Sequence, residues 1–212
     1  MALLAAAGRP VAPLPPAAPE WADLFHCLAG AFLPPPADLT GVIWCEALAD
    51  DLEDLGQLLG LDVSAAVGSL RASGGPLAGA PWLVEYSSLF LVPPVAVTLN
   101  TGVYLEGGLA GASAQMMEQC YATAGFARHE AFHDLPDHVG IQFEFVGALL
   151  ERAAQGDADA AAMAGEFVAG FVRQWIDSLH AACVRAGDGH PAARIYAALT
   201  DLARSALDAV DR

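Results

Sequence analysis

Apolar residues recur three and four positions apart along almost the whole chain, while runs of alternating Val, Ile and Thr, which a strand would need, are nearly absent. A 3.6-residue period gathers such side chains into one stripe per segment, so the pattern can be buried only by packing helix on helix. The first stripe is Trp21, Leu24, Phe25, Leu28 and Phe32; it follows Pro19 and stops at Pro34-Pro35-Pro36. A second helix from about Thr40 turns Trp44, Leu48, Leu52, Leu55 and Leu59 inward and Glu46, Asp50, Asp51, Glu53 and Asp54 toward solvent. A short helix starts near Asp62, and Pro81 opens another with Trp82, Tyr86, Leu89 and Phe90 on one face. Further helices are predicted over 112–125, 136–155, 158–186 and 191–210. Between them lie a Gly/Pro-rich connector at 73–81, a long connection from Pro93-Pro94 to Gly111, and the turn Gly187-Asp188-Gly189. With 212 residues and 55% apolar content the chain supports one sizeable core. The expectation is a single all-α domain over 19–212, a bundle of about 8–10 helices, preceded by Ala/Pro-rich residues 1–18 that read as disordered.

Nine basic against 25 acidic residues give a formal charge of −16, a field that repels nucleic-acid phosphates and anionic membrane surfaces and attracts cationic ligands. All nine basic residues are Arg. Without Lys there is no Walker A phosphate loop and no Schiff-base chemistry. Cys27, Cys45, Cys120 and Cys183 are widely separated and lack metal or CxxC spacing, so they read as reduced core thiols, which fits the cytoplasm. The segment MALLAAAGRP lacks the leading positive charge of a secretory signal. From Tyr86 to Leu105 no residue is charged, but Pro93, Pro94, Asn100 and Gly102 make this stretch a loop between helices rather than a membrane span.

His129-Glu130-Ala131-Phe132-His133 is a literal HExxH, which on a stable helix would place two imidazoles one turn apart for zinc, with Glu130 as general base. Asp134-Leu135-Pro136 breaks the pattern directly after His133, so the residues read as two solvated His on a connector. A loop-borne metal site on His129 and His133, with Asp137 or His138 as third ligand, is the alternative. The next helix, PDHVGIQFEFVGALLERA, is predicted to start at Pro136 with Asp137 in its first turn. Val139, Phe143, Val146 and Leu150 form its core stripe, and Ile141, Phe145, Ala148 and Leu149 a second apolar surface. His138 and Gln142 lie between the two and need partners, inside the fold or on a ligand.

The blocks Glu85-Tyr86-Ser87-Ser88-Leu89-Phe90 with Pro93-Pro94, Val103-Tyr104-Leu105, Tyr121-Ala122-Thr123-Ala124-Gly125-Phe126, and Pro136-Asp137-His138 with Phe143-Glu144-Phe145 stand in that order. They resemble the EYxxLFxxP, VYL, YxxxGF and PDHLxxELEF elements of the TorD/NarJ-type redox-enzyme maturation chaperones. Two departures are visible: Leu99-Asn100-Thr101-Gly102 replaces a PYES-like run, and Gln142 stands at the first Glu of ELEF. The resemblance implies a TorD-like helical domain acting as a cytoplasmic, non-enzymatic chaperone without a cofactor of its own. Its partner would be a molybdopterin-containing catalytic subunit, held by the twin-arginine signal peptide or as apoprotein until cofactor insertion. An apolar, acidic helical body suits such a cationic and apolar leader.

A peptide groove is expected between the 82–91 helix, the loop after it and the 136–155 helix. Its candidate contacts are Trp82, Glu85, Tyr86, Leu89, Phe90, Asp137, His138 and Gln142, with core packing the competing role for Tyr86, Leu89 and Phe90 and the favoured one for the last two. A zinc metallohydrolase and an inert helical adaptor are the alternative functions. The long 91–111 connection allows either a monomer or a domain-swapped dimer.

Overall fold

The computed structural model describes residues 19–72, 81–127, 129 and 132–210. Helix α1 (Pro19–Phe32) buries the whole predicted stripe, and Phe25, Leu28 and Phe32 are completely inaccessible. Helix α2 (Gly41–Leu59) buries Leu48 and Leu52 and leaves Glu46, Asp50, Asp51 and Asp54 exposed. Arg71 of α3 (Ser64–Ala72) bridges back to Asp50 and Glu53 at 3.0 and 2.8 Å. Helix α4 (Trp82–Phe90) faces the core, α5 (Thr101–Leu105) is a single turn, and α6 (Ala112–Thr123) follows. Helices α7 (Val139–Ala154), α8 (Ala158–Gly170), α9 (Ile176–Ala186) and α10 (Pro191–Val210) complete an all-α bundle with no strand among the described residues.

Helix α7 approaches α1 closely, and the cause is local. Gly140 and Gly147 lie two turns apart on α7 and face Leu33 and His26, which have the same spacing on and just beyond α1. A Cβ on Gly147 would stand 2.8 Å from the His26 ring, and one on Gly140 would stand 3.0 Å from Leu33 Cδ2. The adjoining face of α7 carries the predicted core stripe: Val139, Phe143, Val146 and Leu150 are buried, with Phe143 against Phe25 and Phe32 of α1 at 5.9 Å each.

Three helix boundaries differ from the sequence expectation. The 158–186 segment is two helices, parted at Phe171 and by a 3₁₀ turn over Val172–Gln174. The break delivers Trp175 to the interior, where it stacks on Tyr104 at 5.6 Å and donates its indole N–H to Gln142 Oε1 at 3.2 Å. Next, the 91–111 connection carries the short α5. Finally, α7 starts at Val139 rather than Pro136, because Pro136 and Asp137 form a turn and His138 is the residue that caps the helix. The connector at 73–80, the Ala/Pro-rich residues 1–18 and Glu130 of the HExxH string lie outside the described residues.

Candidate functional site

Three of the tyrosines in the motif blocks do the same physical job. The Tyr86 hydroxyl donates to the Phe32 carbonyl at the open C-terminus of α1 at 3.0 Å, Tyr104 to the Thr98 carbonyl at 2.7 Å, and Tyr121 to the Pro136 carbonyl at 2.8 Å. Each fastens one stretch of irregular backbone that would otherwise carry an unpaired carbonyl. In the third block Gly125 adopts φ +79°, Phe126 N–H returns to the Tyr121 carbonyl and Gly125 N–H to that of Ala122, which closes α6 as a Schellman turn. The turn sends Phe126 across to Phe145, ring centroids 5.5 Å apart at 90°.

The Pro136-Asp137-His138 block is a polar knot. Asp137 is fully buried; its carboxylate accepts from Gly102 N–H at 2.8 Å and from Asn100 Nδ2 at 3.3 Å, and so caps α5 rather than its own helix. Its carbonyl accepts from Thr101 N–H, from Thr101 Oγ1 and from Gln142 Nε2, the last at 2.8 Å. His138 Nδ1 accepts from Gly140 N–H at 3.1 Å, which makes His138 the N-cap of α7 and places the ring proton on Nε2. Burial pushes the His138 pKa below its ordinary value against the opposing pull of Asp134 and Asp137.

A cavity of about 800 Å³ opens beside this knot. Its walls are His26 of α1 and Leu33 just beyond it, Ile141, Phe145 and Ala148 from α7, and Phe126, Phe132 and His138 from the connection between α6 and α7. These α7 residues are three of the four that form the second apolar surface read from the sequence; the fourth, Leu149, is buried and does not line the cavity. Tyr121 and Phe145, in edge contact at 4.8 Å, belong to the floor, and Phe132 stands edge-on to His138 at 5.8 Å. Two acids, Glu144 and Asp134, border the apolar space, and Glu144 makes no ion pair among the described residues.

Of the residues expected to meet a peptide, only His138 lines this cavity. Trp82 stacks on Trp44 at 4.4 Å and lies against Tyr196 at 6.2 Å, and Tyr86, Leu89 and Phe90 are buried with it. Asp137 and Gln142 are spent within the knot, and Glu85 is half-exposed on α4. The open space thus lies on the second face of α7, and no α4 residue borders it. His129 and His133 are exposed, line the cavity and sit on non-helical backbone. Among the described residues no three His, Cys, Asp or Glu side chains cluster as metal ligands. Burial raises the Cys27 and Cys183 thiols to about 12, Asp51 adding to the effect at Cys27, and raises Cys45 to about 11. All three are protonated near neutral pH, which leaves them poor nucleophiles.

A helical bundle with an open apolar cavity, acidic at its border, offers a concave site for a ligand. The chain belongs to the nitrate reductase delta subunit family, which it matches over residues 46–181. A comparison with curated proteins gives no match. Its fold is similar to the solved structure of a redox enzyme maturation protein from Archaeoglobus fulgidus, with a TM-score of 0.53 and 18% identity over 87% of this chain and 93% of that one. No helix among the described residues is long and apolar enough to cross a membrane.

Proposed function

We propose that this protein is a chaperone in molybdoenzyme assembly and that the α1–α7 cavity takes the client's cationic, apolar twin-arginine signal segment. Membership of the nitrate reductase delta subunit family and the fold shared with a redox enzyme maturation protein support the chaperone role. The single observation that supports the binding site is the cavity itself: aromatic and aliphatic walls beside the exposed carboxylate of Glu144. A signal segment carries an apolar helical stretch and an arginine pair, so it matches both halves of that surface. Asp134 adds a second carboxylate, but Asn100 Nδ2 and Leu135 N–H already engage it, so Glu144 is the primary arginine acceptor. His138, which lines the cavity, serves as a polar contact through its ring Nε2–H. Trp82, Tyr86, Leu89, Phe90, Asp137 and Gln142 serve the site by fixing the elements that frame it. Glu85 lies off the cavity and is a secondary contact for the client's n-region. Retention of the client before export places the protein in the cytoplasm.

Calorimetric titration of the full chain with a synthetic twin-arginine signal peptide tests this reading. Saturable binding is expected, about tenfold weaker for Ile141→Ser and for Glu144→Gln, and weaker again when the peptide's Arg pair is replaced by Gln. Binding indifferent to Ile141 and Glu144 would move the site elsewhere, and no binding at all would remove signal capture from the function.

A further inference from the structure

We propose that residues 1–18 of this chain are an internal occupant of the α1–α7 cavity, a tethered competitor that a client segment must displace. The inference rests on the reading of the cavity as a receptor for a cationic, apolar segment, and it follows from what the chain itself supplies next to that receptor.

Composition comes first. In a chain with 25 acidic and nine basic residues, positions 1–18 hold no Asp or Glu, and Arg9 is their sole charged residue. Leu3 and Leu4 lie within an otherwise Ala-rich run, and Val11 and Leu14 follow Arg9. This is the same pairing of greasy side chains with a guanidinium that Ile141, Phe145 and Glu144 are arranged to meet. A cavity of about 800 Å³ holds a few side chains, not a whole signal sequence, so a short segment is enough to fill it.

Attachment comes second. Position 18 joins directly to Pro19, the first residue of α1, and the cavity wall begins with His26 on that same helix. Seven residues of helix separate the two, about 10 Å. The spacer 10–18, Pro-rich, spans up to about 28 Å at roughly 3.1 Å per residue, so the apolar run before it can reach the His26 end of the cavity. Because α7 runs antiparallel to α1, with Gly147 against His26 and Gly140 against Leu33, this is the Ala148 end, one turn from Glu144. Arg9 enters within reach of that carboxylate.

Tethering sets the magnitude. A link of this length presents its segment at an effective concentration on the order of 1 mM. An intrinsic dissociation constant of only about 0.1 mM would then weaken client binding roughly tenfold. Such a competitor covers an apolar surface when no client is present and admits only segments that bind better than it does.

The test uses the full chain throughout. With Leu3→Asp and Leu4→Asp together, or with Arg9→Glu, a fluorescent twin-arginine peptide is expected to bind about tenfold tighter than to the unaltered protein. With the photo-crosslinking residue p-benzoylphenylalanine in place of Leu4, cross-links are expected to residues 126–148, and to fall when peptide is added or when Ile141→Ser is introduced. Peptide binding at the cavity with the same affinity in every tail variant and no cross-link to 126–148 would overturn the internal occupant while leaving the client site intact. Cross-linking that depends on Ile141, with no peptide binding by any variant, would uphold the occupant and overturn signal capture.

Discussion

Gln142 holds three partners at once: its amide donates to Thr101 Oγ1 and to the Asp137 carbonyl, both at 2.8 Å, and accepts from Trp175 Nε1. That set needs a side chain with both donor and acceptor, which a carboxylate is not. Gln142→Glu leaves two buried acceptors facing a negative charge, so a loss of about 3 kcal/mol is expected, read as a fall in Tm of roughly 6–12 °C. The deficit should shrink as pH drops, because the protonated acid regains one donor; a loss independent of pH would show that the knot does not work this way. His138 gives a second titration, of the opposite sign. Its folded pKa is depressed below the ordinary 6.5, so the folded state favours neutral imidazole, and the unfolded chain takes up the proton first. The stabilisation is complete above pH 6.5 and is lost as pH falls from there through the folded pKa. His138→Asn keeps a good N-cap without the titration. Its denaturation midpoint is expected to vary less between pH 7 and pH 5 than that of the unaltered protein, and equal slopes would refute the assignment.

Helix α7 is the element on which core, knot and cavity meet, and its seam with α1 makes a prediction whose sign depends on a neighbour. The Gly147 position stands against the His26 ring, so a Cβ there forces the imidazole outward into the cavity. Gly147→Ala is expected to destabilise by about 1 kcal/mol. In a His26→Ala background the obstruction is gone, and the same change should stabilise by about 0.5–1 kcal/mol through helix propensity alone. A thermal double-mutant cycle reads this reversal; a Gly147→Ala effect of the same sign in both backgrounds would mean that the ring does not set the helix spacing. The elements also show what was legible in advance. The α1, α2 and α7 stripes were readable because a 3.6-residue period is local, and Ile141, Phe145 and Ala148 were visible as a second apolar surface for the same reason. The break before Trp175 was not readable, since its cause is a stack on Tyr104 and a hydrogen bond to Gln142, both distant in sequence. Asp137 could be assigned to its own helix or to another only once Gly102 was known to lie beside it. His26 and Leu33 were hidden as cavity walls because only the pairing of α1 with α7 turns them there, although Gly140 and Gly147 with seven-residue spacing were a readable sign of close approach.

At the scale of the molecule the relevant quantity is the formal charge of −16, most of which lies outside the cavity. Contacts within the cavity govern how long a cationic segment stays, whereas the summed field governs how often it arrives. Glu46, Asp51 and Asp54 on the exposed face of α2 separate the two effects: none lines the cavity, and none makes the bridge to Arg71 that Asp50 and Glu53 provide. Neutralising them together as Glu46→Gln, Asp51→Asn and Asp54→Asn removes three charges with little change in shape. At low ionic strength the association rate of a twin-arginine peptide is expected to fall about two- to fivefold, with the dissociation rate unchanged, and the difference should vanish once salt shortens the screening length to a few ångströms. Glu144→Gln should do the reverse, raising the dissociation rate severalfold with a smaller effect on association. Stopped-flow measurement on the two variants resolves both rates. If the α2 changes altered dissociation, that face would itself be part of the bound complex, and the client would have to extend from the cavity across α1 to reach it.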